Sequence, residues 1–259
     1  TLNRAIQLSR GSYLARQDQD DVSLPLRLMK QVRYLEEHLR CGLVGTWAEI
    51  VAGTEPTGRV HRHASENGSL QFDLLFDNPF VHSSVMMRKT AIESVGTYST
   101  DPARQPPEDY ELWSRLARQW EVANIPEVLH IYRELPSSMS RDGSYPFRDR
   151  VIDISAENIR WILGEAAGMP AVDDLAALNH AAYARVDPCV RWKHLSRVMT
   201  SAADRLAVSC HADPATIQRK AYAQLLEIRP HYRRFKNAHG VRRTIRDWSA
   251  AFGRMVSGW

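Results

Sequence analysis

The chain has 259 residues, of which 44% are hydrophobic and 25% charged, a composition typical of a folded globular protein and not of a disordered one. No run reaches the roughly 18 uncharged apolar residues of a membrane-spanning helix. The best candidate, residues 42–53, is short and contains Glu49. The first residues lack the charged and apolar regions of a signal peptide. We therefore expect a soluble protein in the cytoplasm.

The net charge of +4 is unevenly distributed along the chain. Residues 185–259 carry 15 Lys and Arg against 5 Asp and Glu, whereas residues 1–184 carry 19 against 25. A basic C-terminal part can meet anionic lipid, nucleic acid or an acidic surface, and a slightly acidic first part is compatible with divalent metal binding. The two parts are expected to face different partners.

The first predicted elements alternate between helix and strand around a loop of carboxylates. Hydrophobic periodicity and the positions of Gly and Pro predict a helix, a short strand, the loop, a second helix and a second strand, over residues 2–9, 13–17, 18–21, 25–39 and 42–52. This order implies crossover connections and an open, mainly parallel sheet with helices packed on it. In such sheets ligands bind at the carboxyl ends of strands, where the Asp loop is expected to lie.

The rest of the chain divides into a sheet-containing part and a helical part. A helix, a buried strand, two further helices and a last strand interrupted by Pro126 are predicted over residues 69–76, 80–87, 89–95, 108–119 and 122–133. From residue 146 onward the pattern is helical, with Pro-marked breaks near residues 168–170, 187–188, 213–214 and 229–230. The predicted domains are therefore residues 1–140 and a helical, basic extension over residues 141–259.

Several segments match a known family in order and spacing. They are residues 2–6, 10–16, 18–21, 24–28, 44–47, 78–88, 95–98, 108–113 and 131–133. Together they resemble the middle of a family 2 glycosyltransferase domain and cover roughly the first half of the chain. The resemblance implies the open α/β sheet of the GT-A, Rossmann-like type. It also implies an inverting, hexosyltransferase-type transfer of a sugar from a nucleotide diphosphate, with a UDP-sugar favoured. The acceptor would be a saccharide or a lipid-linked hydroxyl in surface polysaccharide or glycolipid synthesis.

The loop motif Asp18-Gln19-Asp20 resembles the Asp-x-Asp motif with which this family holds Mn²⁺ or Mg²⁺ against the donor diphosphate. By the resemblance Asp20 is the direct metal ligand, and Asp18 contacts the nucleoside or a metal-bound water. Hard divalent cations prefer carboxylate oxygens, and a cation between two phosphates neutralises the charge that develops as the diphosphate leaves. The alternative is a solvated surface turn, because such turns are commonly rich in Asp.

A second motif, Glu108-Asp109 after Pro107, resembles the family's Glu-Asp motif at the acceptor side of the site. The resemblance makes Asp109 the general base that takes the proton of the acceptor hydroxyl, with Glu108 beside it. The alternative is that both residues only stabilise a helix amino terminus. Trp113 lies four residues further on the same helical side, where it could floor a sugar site or belong to the core.

Two more residues complete the predicted site. His82 lies in a segment that resembles the border of the family's acceptor site, and could hydrogen-bond sugar or phosphate or be a satisfied structural residue. Arg133 could pair with the diphosphate or form a surface ion pair.

A complete domain of this family begins with strands that hold the nucleotide base and ribose, and the matched segments do not include them. A truncated chain, a natural fragment and completion by another chain are all compatible with this. We therefore expect an incomplete sheet with an exposed edge, weak binding of UDP-sugar and a tendency to self-associate.

Two other classes of function compete with catalysis. One is a non-catalytic scaffold with a degenerate transferase sheet, against which the retained Asp18, Asp20 and Asp109 argue. The other is nucleic-acid binding through residues 185–259, which is not expected because no groove-reading or single-strand-binding motif accompanies the charge. The basic segments 229–236 and 242–246 are interpreted as a peripheral contact with anionic membrane or as a solvated basic face.

Overall fold

The computed structural model describes residues 1–135, 145–164 and 171–256, and within residues 145–146 and 240–256 it describes the backbone alone. The predicted domain boundary near residue 140 and the predicted break near residues 168–170 lie outside the described residues. The side chains of the second basic segment, residues 242–246, are likewise not described.

The sheet-containing part begins with the predicted alternation of helix and strand. Its elements are α1 (Leu2–Leu8), β1 (Tyr13–Ala15), β2 (Val22–Ser23), α2 (Arg27–Glu37), β3 (Cys41–Ala52), β4 (Glu55–His61), α3 (Asn67–Asp73), a 3₁₀ turn (His82–Ser84), β5 (Met86–Arg88), α4 (Lys89–Val95), α5 (Glu108–Ala117) and β6 (Glu121–Glu134). The helical part follows with α6 (Tyr145–Leu163), α7 (Ala171–Asn179), a 3₁₀ turn (Tyr183–Arg185), α8 (Trp192–Ser209) and α9 (Pro214–Val256).

The described strands form an open, mixed sheet of six strands in the order β1-β5-β3-β6-β2, with β4 paired to β3. The long pair β3–β6 is parallel, from Cys41 opposite Glu121 to Ala52 opposite Glu134. The other pairs among the described strands are antiparallel. The predicted α/β class is confirmed, whereas the mainly parallel character holds only for the central pair.

Two local predictions were wrong. The strand expected over residues 80–87 is broken by the 3₁₀ turn His82–Ser84, because the Ser84 hydroxyl donates to the carbonyl of Val81 at 2.9 Å and competes with strand pairing. The hairpin strand β4 was not predicted, because Pro56 and Gly58 favour a loop reading of its sequence. It pairs with β3 at the side of the sheet, where Pro is tolerated.

The central strands bury both faces. Leu43 and Val122 face a cluster that contains Ile92 of α4 and Trp113 of α5. On the opposite face, a second cluster includes Val44 and Ala123, the next residues along the strands, with Leu35 of α2. This alternation follows from the period of two along a strand, and it explains why β3 is apolar almost without interruption.

The helical part packs around its own cluster, and both α6 and α3 contribute to this cluster and to the one beneath the sheet. In α3, Phe72 belongs to the helical cluster and Leu70 to the cluster beneath the sheet. In α6, Ile152 and Ala156 belong to the helical cluster, whereas Val151 and Ile154 belong to the cluster beneath the sheet. Helix α9 buries Ile217, Ala221, Ile228 and Phe235, which recur at helical spacing. None of the described helices is long and apolar enough to cross a bilayer.

The helical boundaries agree with the Pro signals at two positions and disagree at a third. The helical structure is interrupted before α8, near Pro188, and again before α9, which begins at Pro214. Helix α9 instead runs through Pro230, where a break was predicted. Packing of Ile228 and Phe235 on either side of the proline holds the helix despite the lost hydrogen bond.

The first basic segment is partly engaged within the protein. The guanidinium of Arg229 lies 5.9 Å from the ring centroid of Trp192, and Lys236 donates to the carbonyl of Pro188 at 2.7 Å. Arg229, Arg233 and Arg234 are all exposed. Most of this charge is therefore accessible to solvent despite the two internal contacts.

The closest approach within the sheet is at Gly45, which pairs with Asn124. A Cβ at residue 45 would lie 2.1 Å from Oδ1 of Asn124, whose amide is held by donation to the carbonyls of Ala64 and Pro79. We expect Gly45→Ala to lower the free energy of unfolding by about 2–3 kcal/mol in urea titrations.

A double-mutant cycle with Asn124→Ala provides the control. Because Asn124→Ala removes the obstructing atom, Gly45→Ala should cost much less in its presence than in the wild-type chain. Strict additivity of the two changes would contradict the steric explanation.

Candidate functional site

Asp21 anchors the carboxylate loop between β1 and β2. Its side chain is 2% exposed and accepts hydrogen bonds from the Ser83 hydroxyl, from the backbone N–H of Arg133 at 2.8 Å and from His130, whose Nε2 lies 3.1 Å away. Burial alone would raise the pKa of Asp21, but these hydrogen bonds hold it below its ordinary value. Asp21 therefore fixes the loop as a buried anion and is not free to bind a ligand.

The buried guanidinium of Arg27 also holds this loop in place. Arg27 has no exposed surface and donates five hydrogen bonds, to the carbonyls of Arg16 and Val85 and to the side chains of Gln17, Ser23 and Gln31. Burial lowers the pKa of Arg27 to about 10, with the nearby Asp21 charge opposing the shift, so the group stays charged at neutral pH. Both ends of the Asp loop are therefore tied to one cation.

The two predicted metal ligands lie on the accessible side of this loop. Asp18 forms an ion pair with Arg16 at 2.8 Å and its side chain is 39% exposed. Asp20 is partly exposed, and its backbone carbonyl accepts from Nε of Arg133 at 2.9 Å. Arg133 thus contacts the backbone of the loop through Nε, and its pairing with a diphosphate stays a prediction.

Asp109 lies in the first turn of α5 and keeps a partly accessible carboxylate. One oxygen accepts from the amide of Asn78 at 2.8 Å and the other from the backbone N–H of Tyr110 at 2.8 Å, while 18% of the side chain is exposed. Burial raises the pKa of Asp109 above its ordinary value. A carboxylate shifted in this direction is a stronger base, which suits proton abstraction.

His82 faces Asp109 and is neutral at neutral pH. Its Nε2 lies 2.9 Å from the Tyr98 hydroxyl, and its Nδ1 lies 3.9 Å from Oδ2 of Asp109. Burial lowers the pKa of His82 to about 4. Trp113 is fully buried, with ring centroids 5.9 Å from His82 and 6.2 Å from Tyr98. Its position beneath both residues is that of a core side chain that supports the site.

One short turn joins the Asp loop to Asp109. In the 3₁₀ turn His82–Ser84, Ser83 donates to Asp21 and the neighbouring His82 faces Asp109. Glu108, the remaining predicted residue, lines a cleft of about 440 Å³ that also borders Tyr98 and Gln105. The fold therefore brings Asp18, Asp20, His82, Glu108, Asp109 and Arg133 into one region, although they are distant in sequence.

The carboxylates of the loop indicate what kind of metal site the protein could form. No group of three His, Cys, Asp or Glu side chains within the described residues could hold a metal ion. A cation bound with a nucleotide commonly uses one or two protein carboxylates and completes its shell with phosphates and water. The carboxylates of Asp20 and Asp18 fit a cation that arrives with a diphosphate and do not form a closed protein site.

The sequence analysis did not assign roles to the residues that hold this site together, namely Arg16, Arg27, Asn78, Ser83, Tyr98 and His130. Asp21 was grouped with the loop carboxylates. Its different role depends on His130, which is 109 positions away in the chain. The sequence signal for Arg27 is a charged residue amid the apolar positions of a helix, which suggests a paired, buried cation.

Comparison with known proteins identifies several relatives that are named as glycosyltransferases. No protein-family model matches the chain. It is 32% identical over 143 residues to the putative glycosyltransferase EpsE of Bacillus subtilis, covering 54% of this chain and 50% of that protein. It is 34% identical over 129 residues to the amylovoran biosynthesis glycosyltransferase AmsE of Erwinia amylovora, covering 49% and 47%. The chain is similar to glycosyltransferases.

A third relative extends this picture. The O-antigen biosynthesis glycosyltransferase WbnJ of Escherichia coli is 32% identical over 137 residues, covering 51% of this chain and 51% of that protein. The chain spans about half the length of the curated relatives it matches.

Solved structures show a more distant likeness. The S. aureus TarS 1–349 complex with UDP-GlcNAc matches 92% of this chain and 70% of that chain, at 14% identity and a TM-score of 0.49. The mannosyltransferase PcManGT of Pyrobaculum calidifontis, in complex with GDP-Man and Mn²⁺, matches 92% and 62%, at 18% identity and a TM-score of 0.40. Similarity at these TM-scores carries no conclusion about function.

The low pKa of His82 predicts a pH dependence of stability. Between pH 6.5 and about 4 the unfolded chain takes up a proton at this residue that the folded chain does not. Stability from this residue is therefore complete above pH 6.5 and is lost as the pH falls, by about 3 kcal/mol in total. Urea titrations of wild-type chain and His82→Gln at pH 7 and pH 4 should show a smaller acid loss in the variant.

The comparison isolates His82 from the other buried histidines, His61, His63 and His180, whose pKa values burial also lowers. An equal loss of stability in both proteins would mean that His82 titrates normally.

Proposed function

We propose that this chain carries the metal-binding and proton-accepting part of a glycosyltransferase that moves a sugar from a nucleotide diphosphate to an acceptor hydroxyl with inversion. The proposal is supported by two kinds of carboxylate that lie on either side of the His82–Ser84 turn and differ in their environment. Asp18 and Asp20 are accessible on an anchored loop, while Asp109 is mostly buried with a raised pKa. Different environments for two acidic groups are the usual sign of different catalytic roles.

Asp109 takes the proton in this mechanism. The acceptor hydroxyl approaches Asp109, which removes its proton as the acceptor oxygen bonds to the anomeric carbon of the donor. Hydrogen bonds from Asn78 and Tyr110 fix the carboxylate for that step. The bond between the anomeric carbon and the diphosphate breaks on the opposite side, so the configuration inverts. His82 is neutral and forms a hydrogen bond with the Tyr98 hydroxyl. It therefore orients polar groups beside Asp109 without adding a charge.

The Asp loop serves the leaving group. Asp20, with Asp18, would hold Mn²⁺ or Mg²⁺, and the cation would neutralise the charge that develops on the departing diphosphate. Arg133, Asp21 and Arg27 hold the loop in place, so that no large rearrangement is needed as charge builds up. A UDP-sugar is the donor that we propose.

The names of two relatives support a proposal for the class of polymer that is synthesised. Two of them are named for the biosynthesis of amylovoran and of O-antigen. We therefore propose a role in the synthesis of a surface polysaccharide or glycolipid, with a saccharide or lipid-linked acceptor.

The metal role is tested by Asp20→Ala. Removal of a direct ligand should abolish the Mn²⁺-dependent part of UDP binding in isothermal titration calorimetry, because cation and diphosphate bind together. Glu36→Ala, which removes an exposed carboxylate on α2, is the control and should bind as wild type. If Asp20→Ala keeps the full Mn²⁺ effect, this residue is not a metal ligand.

The base is tested by Asp109→Asn in assays with the donor that a screen of nucleotide sugars identifies. Turnover should fall by about 10²-fold or more, while Mn²⁺-dependent UDP binding stays near the wild-type value. Since the pKa of Asp109 is raised, wild-type turnover should decline with falling pH earlier than an ordinary Asp would require, and the variant should lack this decline. Near-normal turnover of the variant would assign the proton to another group.

A further inference from the structure

A second depression lies at the opposite end of the sheet from Asp109 and the Asp loop. It has a volume of about 310 Å³ and is bordered by Arg40, Glu121, Arg118 and Trp161. Arg40 and Glu121 flank the amino ends of the parallel strands β3 and β6, whereas Arg133, which contacts the Asp loop, lies near the carboxyl end of β6. Twelve residues of extended chain separate Glu121 from Arg133, roughly 40 Å. The depression is therefore distinct from the proposed catalytic site.

The wall of this depression is an exposed indole. Trp161 is 40% exposed, whereas Tyr110 and Trp113 of the neighbouring α5 are fully buried. The guanidinium of Arg118 lies 5.6 Å from the centroid of the Trp161 ring. Trp161 also lines an adjoining shallow depression of about 510 Å³ with Asp204, Arg205 and Val208. One ring is thus shared by two neighbouring depressions, which gives room for more than one unit of a linear ligand.

Arg118 leaves a buried donor without a partner. Its terminal nitrogen donates to Asn158 at 3.2 Å, but its Nε is buried and has no hydrogen-bond partner within the described part of the chain. Because this nitrogen is itself buried, a ligand in the depression cannot reach it, and Arg118 contributes to the wall through the contact of its guanidinium with the Trp161 ring.

Asn67, Gln71 and Gln119 line the same depression. The amide oxygen of Asn67 already accepts from Gln71 at 3.1 Å and from the N–H of Val122 at 3.0 Å, whereas the side chain of Gln119 is exposed and its amide can both donate and accept.

The charges of the depression are nearly balanced. Arg40 forms an ion pair with Glu121 at the rim. Burial lowers the pKa of Arg118, and the nearby carboxylates Glu157 and Glu111 oppose this shift, with Arg104 and Arg115 reinforcing it. Phosphate-rich ligands favour sites with excess positive charge, which this depression lacks. The lining combines two indoles, Trp161 and Trp120, with amide and charged groups.

We propose that this depression is a second, non-catalytic binding site for a saccharide chain. A pyranose ring has an apolar C–H face that packs on an indole and a hydroxyl rim that pairs with amide and guanidinium groups. One sugar unit packs on Trp161, and the exposed amide of Gln119 and the rim groups Arg40 and Glu121 pair with hydroxyls of this unit and of a neighbouring one. The proposal goes beyond the proposed transferase function and does not depend on it.

Saturation-transfer NMR tests this site directly on the chain. The probes are chitotetraose, maltotetraose and tetragalacturonate, which separate amide-bearing, plain neutral and acidic sugars. We expect saturation transfer to the ring protons of at least one probe, and a dissociation constant raised about tenfold or more in Trp161→Ala. Gln119→Ala, which removes the exposed amide at this depression, should weaken binding of the same probe.

Two controls make the result specific. Tyr222→Ala removes another exposed aromatic side chain, 65% exposed on α9, and should bind as wild type. Mn²⁺-dependent UDP binding should be unchanged in Trp161→Ala, so that failure of the transferase mechanism and failure of this site give different results. Thermal melts of each variant check folding. Absence of transfer from all three probes, or equal binding by wild-type chain and Trp161→Ala, would overturn the proposal.

Discussion

The site depends on a buried polar chain that runs from Arg27 through His130 to Asp21. The Nδ1 atom of His130 lies 3.5 Å from the Arg27 guanidinium and its Nε2 lies 3.1 Å from Asp21, with all three side chains almost fully buried. Removal of one member would leave the others buried and unpaired, which is more costly than loss of a surface ion pair. The cation holds the start of the Asp loop through the carbonyl of Arg16, and the anion holds its end through the N–H of Arg133.

This arrangement separates anchoring from chemistry. All the hydrogen bonds of the Asp21 carboxylate serve to hold the loop in place. Asp18 and Asp20 are more exposed and lie on the outer side of this anchored loop. On the other side of the His82–Ser84 turn, burial shifts Asp109 toward the neutral form and His82 away from the charged form. The two sides of the proposed reaction therefore face one shared and rigid element.

The elements that could be predicted from the sequence are those that depend on local residue patterns. Helical periodicity and capping predicted α2, α4 and α5 closely, and the Asp loop was placed correctly after a strand. The directions of strands were not predictable from local patterns, because antiparallel β5 and parallel β6 both pair with β3 and their sequences do not distinguish the two cases. The roles of Asp21 and Arg133 were also beyond local reasoning, since each is decided by a contact across more than a hundred residues. Trp113 occupied a position that fitted both a sugar floor and a core residue, and only its complete burial decides between these.

Helix α6 has a consequence for how such chains can be recombined. Because adjacent residues, Val151 and Ile152, enter different hydrophobic clusters, the helix is a structural member of the sheet layer and of the helical layer at the same time. A chimera that joins the first part of this chain to the helices of a relative must therefore keep α6 with the sheet and also match its second face to the new helices. Exchange of the helical part alone would open a cavity in one cluster or the other. In the course of evolution the two layers are then expected to change together.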